Sequence, residues 1–216
     1  MADWEVDQQR VLTDVEVAVC LSELRRKAKR SKLTHRTLII FELATCCGLR
    51  VSEICSLTMA DVRLGLDPAI RIRRETSKSG RPRTVPLGWD ALAMLDVSRW
   101  VGLRLASGAS SSDLLLPTRT GHRMDRSTVS RMYSRACRPI GRHASIHVGR
   151  HTFISWALHR GVDIQAVRAA VGHSSLNTTS KYAHVVRAKI AITDLFSRPL
   201  DTTVQAQLVP AGHLRD

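Results

Sequence analysis

The chain has 216 residues, 44% of them apolar, enough to bury the core of one globular domain and too few for two well-built ones. Lysine and arginine number 33 against 19 aspartates and glutamates, a net charge of +14 that points to a polyanionic partner, nucleic acid first. No apolar run approaches the ~20 residues of a membrane-spanning helix. The acidic start MADWEVDQQR lacks the basic and apolar regions of a secretory signal. Five cysteines without a C-x-x-C pair argue against a disulfide framework or a zinc ribbon and for buried reduced thiols. A cytoplasmic, DNA-associated protein is expected.

Residues 1 to 11 read as a flexible leader. Thr13 and Glu16 then make a T-x-x-E capping box, and apolar Val15, Val19, Leu21 and Leu24 carry a helix to the basic cluster RRKAKR at 25 to 30. That cluster is a DNA-backbone candidate, or else a solvated helix end. A more apolar helix, THRTLIIFELATCC, runs from Thr34 to a stop at Gly48 and reads as the central core helix. A short helix follows from Leu49, with Arg50 in its first turn; alone, Arg50 is an ordinary arginine paired with Glu53 at i+3.

The period then changes to two. Residues 69 to 73 and 83 to 87 alternate around the turn Ser77-Lys78-Ser79-Gly80, predicting a small β-hairpin with Lys78 near its tip. Local sequence makes Lys78 a solvated turn lysine, although its length lets it reach into a groove. Residues 89 to 105 predict a helix and 106 to 112 (ASGASSS) a surface loop. Residues 127 to 138 predict a basic helix with Arg131, Arg135 and Arg138, suited to a DNA backbone or major groove; Tyr133 within it reads as a packing residue.

From His147 to His184 the chain gathers His147, Arg150, His151, His173 and Tyr182. Helices are predicted at 149 to 160, at 163 to 171 with Gly172 as stop, and at 175 to about 184. His147 and Arg150 then sit at the mouth of the first, where exposed amides also favour an anion. Cations, imidazoles and one phenol suit a phosphate-handling site. His147 and His151 at i, i+4 could suggest zinc, but the glutamate of H-E-x-x-H is missing and no third ligand is placed. A lone tyrosine reads as a core aromatic; in company with Arg50, Lys78, His147, Arg150 and His173, Tyr182 reads as a nucleophile.

Taken in order, CGLRVSE at 47 to 53, Lys78 in a hairpin followed by RTVPL, HVGRH at 147 to 151, VGH at 171 to 173 and Tyr182 nine residues after His173 resemble the catalytic domain of the tyrosine recombinase, or phage integrase, family. The resemblance covers roughly residues 12 to 190. It implies a mostly α fold with a small antiparallel β-sheet, a catalytic domain at 12 to 198 and a disordered tail at 199 to 216. It implies that Tyr182 attacks the scissile phosphodiester to leave a 3′-phosphotyrosine, that Arg50 and Arg150 clamp the non-bridging oxygens, and that Lys78 protonates the leaving 5′-oxygen. His147 would accept the tyrosine proton, His173 would donate to the phosphate, and Glu53 would orient Arg50 or His147. Since guanidinium forks take the part magnesium plays elsewhere, no metal and no cofactor are expected.

The expected activity is site-specific recombination of double-stranded DNA by a tetramer on paired sites. Residues 187 to 198 are expected to form an amphipathic helix that is either donated to a neighbouring copy or folded back on its own domain, and an accessory DNA-binding protein is an admissible partner. Type IB topoisomerase-like relaxation is the competing reading. A non-catalytic DNA-binding regulator derived from an integrase is another; it predicts loss of an arginine or the tyrosine, and none is lost. Two features depart from the family pattern. Gly149 stands where H-x-L-R-H has leucine, which removes a packing side chain and adds backbone freedom. Only about thirty residues precede the second helix, so the helical core-binding domain of most members is expected to be missing, a short layout similar to fimbrial phase-variation invertases or a truncated mobile-element integrase.

Overall fold

The computed structural model describes residues 11–77, 80–87 and 91–172. Lys78, His173 and Tyr182 lie outside them, as do the expected helices at 175 to 184 and 187 to 198, the expected tail and nearly all of the expected leader.

Helix α1 (Asp14–Ala28) starts where the capping box places it: the Thr13 amide donates to the Glu16 carboxylate at 2.8 Å and the Glu16 amide to the Thr13 hydroxyl at 3.2 Å. Helix α2 (Lys32–Thr45) begins two residues before Thr34, because the Ser31 side chain takes the cap and accepts the Thr34 amide. Leu38, Ile39, Ile40, Phe41, Leu43 and Ala44 are all buried, so the second half of α2 is covered on every side, as a stretch apolar all round must be. It packs on α1 and on three helices further along the chain, α4 (Ala91–Ala106), α5 (Arg126–Ala136) and α6 (Ile146–His159). Each of the large apolar side chains buried there contributes about 1.5–3 kcal/mol by leaving water.

After α2 come the single-turn helix α3 (Val51–Ile54) and an antiparallel sheet of three strands in the order β1 (Val62–Arg63), β2 (Ala69–Ile72), β3 (Arg83–Pro86). Strand β1 is two residues long, too short to leave an alternating period, and it turns the expected hairpin into a sheet. Ile70 and Val85 are paired across β2 and β3 and both are buried, which fixes the register. On α5, Val129, Met132, Tyr133 and Ala136 face the core at helical spacing, leaving Arg131 and Arg135 exposed. Helix α6 begins three residues earlier than expected, and α7 (Ile164–Val171) follows it, capped by Asp163. Phe153, Ile154, Ala157 and Leu158 of α6 meet Val167 and Val171 of α7 in a second apolar cluster beside the main core.

The RRKAKR cluster is less available to a partner than its charge suggests. Arg25 turns inward to Asp96 at 2.6 Å and Glu42 at 3.1 Å, and Arg26 and Lys27 both pair with Glu23. All five cysteines are buried, and none is in a disulfide. Among the described residues no helix is long and apolar enough to cross a membrane.

Candidate active site

The two arginines expected to clamp a phosphate converge on one helix end. Gly172 caps α7 with φ +64°, and the last carbonyls of that helix point to three guanidiniums. Arg150, on α6 and 8% exposed, donates from Nη2 to the Val171 carbonyl and from Nη1 to the Gly48 carbonyl, both at 2.6 Å. Arg50, at the start of α3, donates from Nη2 to the Gly172 carbonyl at 2.8 Å and from Nη1 to Glu53 at 3.1 Å. Arg83 of β3 donates from Nε to the Ala170 carbonyl at 2.7 Å. Three consecutive carbonyls at the negative end of α7 thus draw together cations from three elements. These bonds fix the guanidinium planes, while the Arg50 side chain stays 18% exposed.

Glu53 sits behind Arg50 with a fully buried carboxylate. Its oxygens accept from the two terminal nitrogens of Arg83 at 2.8 Å each, and from the Arg50 amide at 2.8 Å. Burial pushes this carboxyl upward, but the hydrogen bonds and charge of Arg83, with those of Arg50, outweigh it and hold Glu53 below the usual 4.5. The expected orienting role of Glu53 therefore goes to Arg50 rather than to His147. His147 lies at the mouth of α6, in the first turn after the N-cap Ser145, exposed to solvent and one turn before Arg150. Lys78, His173 and Tyr182 lie outside the described residues; the residues preceding Lys78 and His173 lie within them. Ser77 is buried, and Gly172 carries the carbonyl that Arg50 holds.

Gly149 does not add backbone freedom. It lies within α6, and a Cβ there would come within 2.6 Å of the Tyr133 hydroxyl and 2.9 Å of the Thr45 hydroxyl. Those hydroxyls bond each other at 2.9 Å, and Tyr133 stacks on Phe41 at 5.3 Å. The tyrosine fills the space a leucine would take, so the packing side chain has moved from α6 to α5. Burial, with the nearby Cys137 thiol, raises the Tyr133 phenol well above its usual range. Wholly buried, it is a packing residue and no nucleophile.

Beside α3 an open groove of about 760 Å³ is lined by Ser52, Ser56, Arg73, Ser77, Arg123 and Arg126 among others. Arg123 and Arg126 are exposed, and Arg73 donates to the Ser56 carbonyl at 2.8 Å. Of the residues at this site, Arg123 and Arg126 carry no mark in the sequence beyond their charge, and Arg83 opens the RTVPL run without any sign there of its partners.

A profile of the phage integrase family matches residues 11–189. The chain is 32% identical over 158 residues to the tyrosine recombinase XerD of Pseudomonas putida, an overlap covering 72% of this chain and 52% of that protein. It is 37% identical over 161 residues to the tyrosine recombinase XerC of Chromobacterium violaceum, covering 74% and 51%. The chain spans about half the length of the curated relatives it matches. Its fold superposes on XerA recombinase with a TM-score of 0.69 at 26% identity, covering 88% of this chain and 63% of that one. The post-cleavage complex of XerH site-specific recombinase with a palindromic difH substrate gives the same TM-score at 21% identity, covering 87% and 52%. The mostly α fold with its three-stranded antiparallel sheet is that of tyrosine recombinase catalytic domains, and the chain belongs to the phage integrase family.

Proposed function

We propose that this chain cleaves and rejoins double-stranded DNA at specific sites, with Tyr182 as nucleophile. The observation that carries the reading is the meeting of Arg50 and Arg150, far apart in sequence, on adjacent carbonyls of one helix end. A site that presents guanidinium donors to electronegative oxygens is built to hold a phosphodiester as charge grows on its non-bridging oxygens. Family membership supports the rest of the reading. The Tyr182 phenol attacks phosphorus, the bond to the 5′-oxygen breaks, and a 3′-phosphotyrosine and a 5′-hydroxyl result. His147 accepts the phenol proton, Lys78 donates one to the 5′-oxygen, and His173 bonds the phosphate. Attack by a 5′-hydroxyl reverses the step, so the phosphodiester energy is kept.

The basic groove next to α3 supports a path for the DNA backbone, and the net charge of +14 supports a polyanionic partner. Within this reading residues 12 to 198 form the catalytic domain, four copies act on two sites, residues 187 to 198 bridge neighbouring copies, and the protein works on DNA in the cytoplasm. The test is a nicked suicide DNA carrying a site from the parent element. A covalent adduct is expected that survives EDTA, persists in Tyr133→Phe and vanishes in Tyr182→Phe, while Arg150→Ala lowers the cleavage rate by about 10²–10³. An adduct in Tyr182→Phe, or relaxation of any plasmid by a monomer without exchange between paired sites, overturns the reading.

A further inference from the structure

Arg83 has no part in the chemistry above, yet its side chain is only 8% exposed and every bond it makes leads into the site. Its terminal nitrogens hold both oxygens of Glu53 at 2.8 Å, and its Nε holds the Ala170 carbonyl at 2.7 Å. Glu53 in turn holds the amide and Nη1 of Arg50, whose Nη2 holds the Gly172 carbonyl at 2.8 Å. Gly172 lies against the Arg83 guanidinium; a Cβ there would stand 3.0 Å from Nη1 and 3.2 Å from Cδ and Cζ. The links close into a ring: β3 to α3 through Arg83 and Glu53, α3 to the end of α7 through Arg50, and α7 back to β3 through Ala170.

We infer that Arg83 is a positioning residue for strand cleavage, one that frees the charge of Arg50 for the phosphate and holds the end of α7 in register with it. The inference rests on the proposed cleavage chemistry. The reason is a charge count within the ring. Glu53 brings one negative charge, and Arg83 and Arg50 one positive charge each, so one positive charge is left for the substrate. Without Arg83, the buried carboxylate must be neutralised by Arg50 itself, which then faces the phosphate with its charge already engaged. Geometry narrows the choice to arginine. Only a guanidinium can offer two parallel N–H groups to a carboxylate and a third to a carbonyl from one rigid plane; a lysine is a point charge.

Single-turnover cleavage of the nicked suicide DNA by the full chain separates a rate from an active fraction. Arg83→Met is expected to slow the adduct-forming rate constant by about tenfold or more, with adduct amplitude and DNA Kd held within about threefold. Arg83→Lys recovers part of the rate. Adding Glu53→Gln to Arg83→Met, which restores the net positive charge, cleaves faster than Arg83→Met alone. On DNA with a neutral methylphosphonate at the scissile position, the Arg83→Met defect shrinks, because less charge is asked of Arg50. Wild-type cleavage rates in a folded, DNA-binding Arg83→Met protein overturn the inference, and so does a loss confined to amplitude or to Kd. Should Arg83→Met not fold, Gly172→Ala, which drives a Cβ against the guanidinium, is expected to slow the same rate constant; a folded Gly172→Ala cleaving at the wild-type rate overturns the inference equally. Absence of any adduct from the wild-type chain overturns the cleavage reading itself.

Discussion

Gly149 shows how a departure from a family pattern can be a relocation. The volume a leucine supplies elsewhere comes here from Tyr133, whose hydroxyl and Cζ would lie 2.6 and 2.9 Å from a Cβ at position 149. Even one methyl group therefore overfills the site, and Gly149→Ala is expected to cost about 1–3 kcal/mol in denaturant unfolding. Removing the hydroxyl relieves the nearer clash and leaves the farther one. Gly149→Ala in a Tyr133→Phe background should accordingly cost less than in the wild type, without falling to zero; equal costs in both backgrounds would show that the two residues do not compete for this space. Nothing in the residues around Gly149 signals this, because the competing groups arrive from α2 and α5. Arg50 and Arg150 were legible because their motifs fall in a recognisable order. The role of Arg83 was not: it opens the RTVPL run, but in an alternating strand it looks like a surface arginine, and its partner Glu53 comes from another element.

Among elements, α1, α2 and α4 meet at a largely buried group of ionisable side chains. Glu42 of α2 is buried beside Asp96 of α4, with Arg25 of α1 bonded to both. Burial first, and then the Asp96 carboxylate, push Glu42 well above the usual 4.5 despite Arg25. The folded chain therefore keeps a proton on Glu42 that the unfolded chain releases, and stability falls as pH rises from about 4.5 toward the raised value. Glu42→Gln, a neutral group of the same shape, is expected to raise Tm at pH 8 and to lose that advantage near pH 4. A variant equally destabilised at both values would show that the carboxyl is ionised in the fold. The elements themselves were readable where one period persisted, as in α1, α2 and α5. They were missed or shifted where a cap or a long-range pairing decides the boundary: Ser31 moved α2, Ser145 moved α6, and β1 exists only by pairing with β2.

For the molecule as a whole, the basic surface is uneven. Arg25, Arg26 and Lys27 are paired with acidic partners, whereas the exposed Arg123 and Arg126 line the groove beside α3. DNA affinity is expected to fall steeply with salt, and Arg123→Ala or Arg126→Ala to lower the slope of log Kd against log salt by about one each, leaving site preference intact. An unchanged slope in both would move the backbone path elsewhere. The fastening of α7 has a use of its own. Eight residues are too few to stay helical in isolation, so its last turn relies on the packing of Val167 and Val171 against α6 and on the arginines from α3, α6 and β3. The Gly172 amide, bonded to the Arg168 and Ala169 carbonyls, thereby becomes a reporter on three distant elements at once. Its hydrogen-exchange protection should collapse in Arg150→Ala while the α2 amides stay protected, giving a gauge of active-site assembly that needs neither DNA nor turnover.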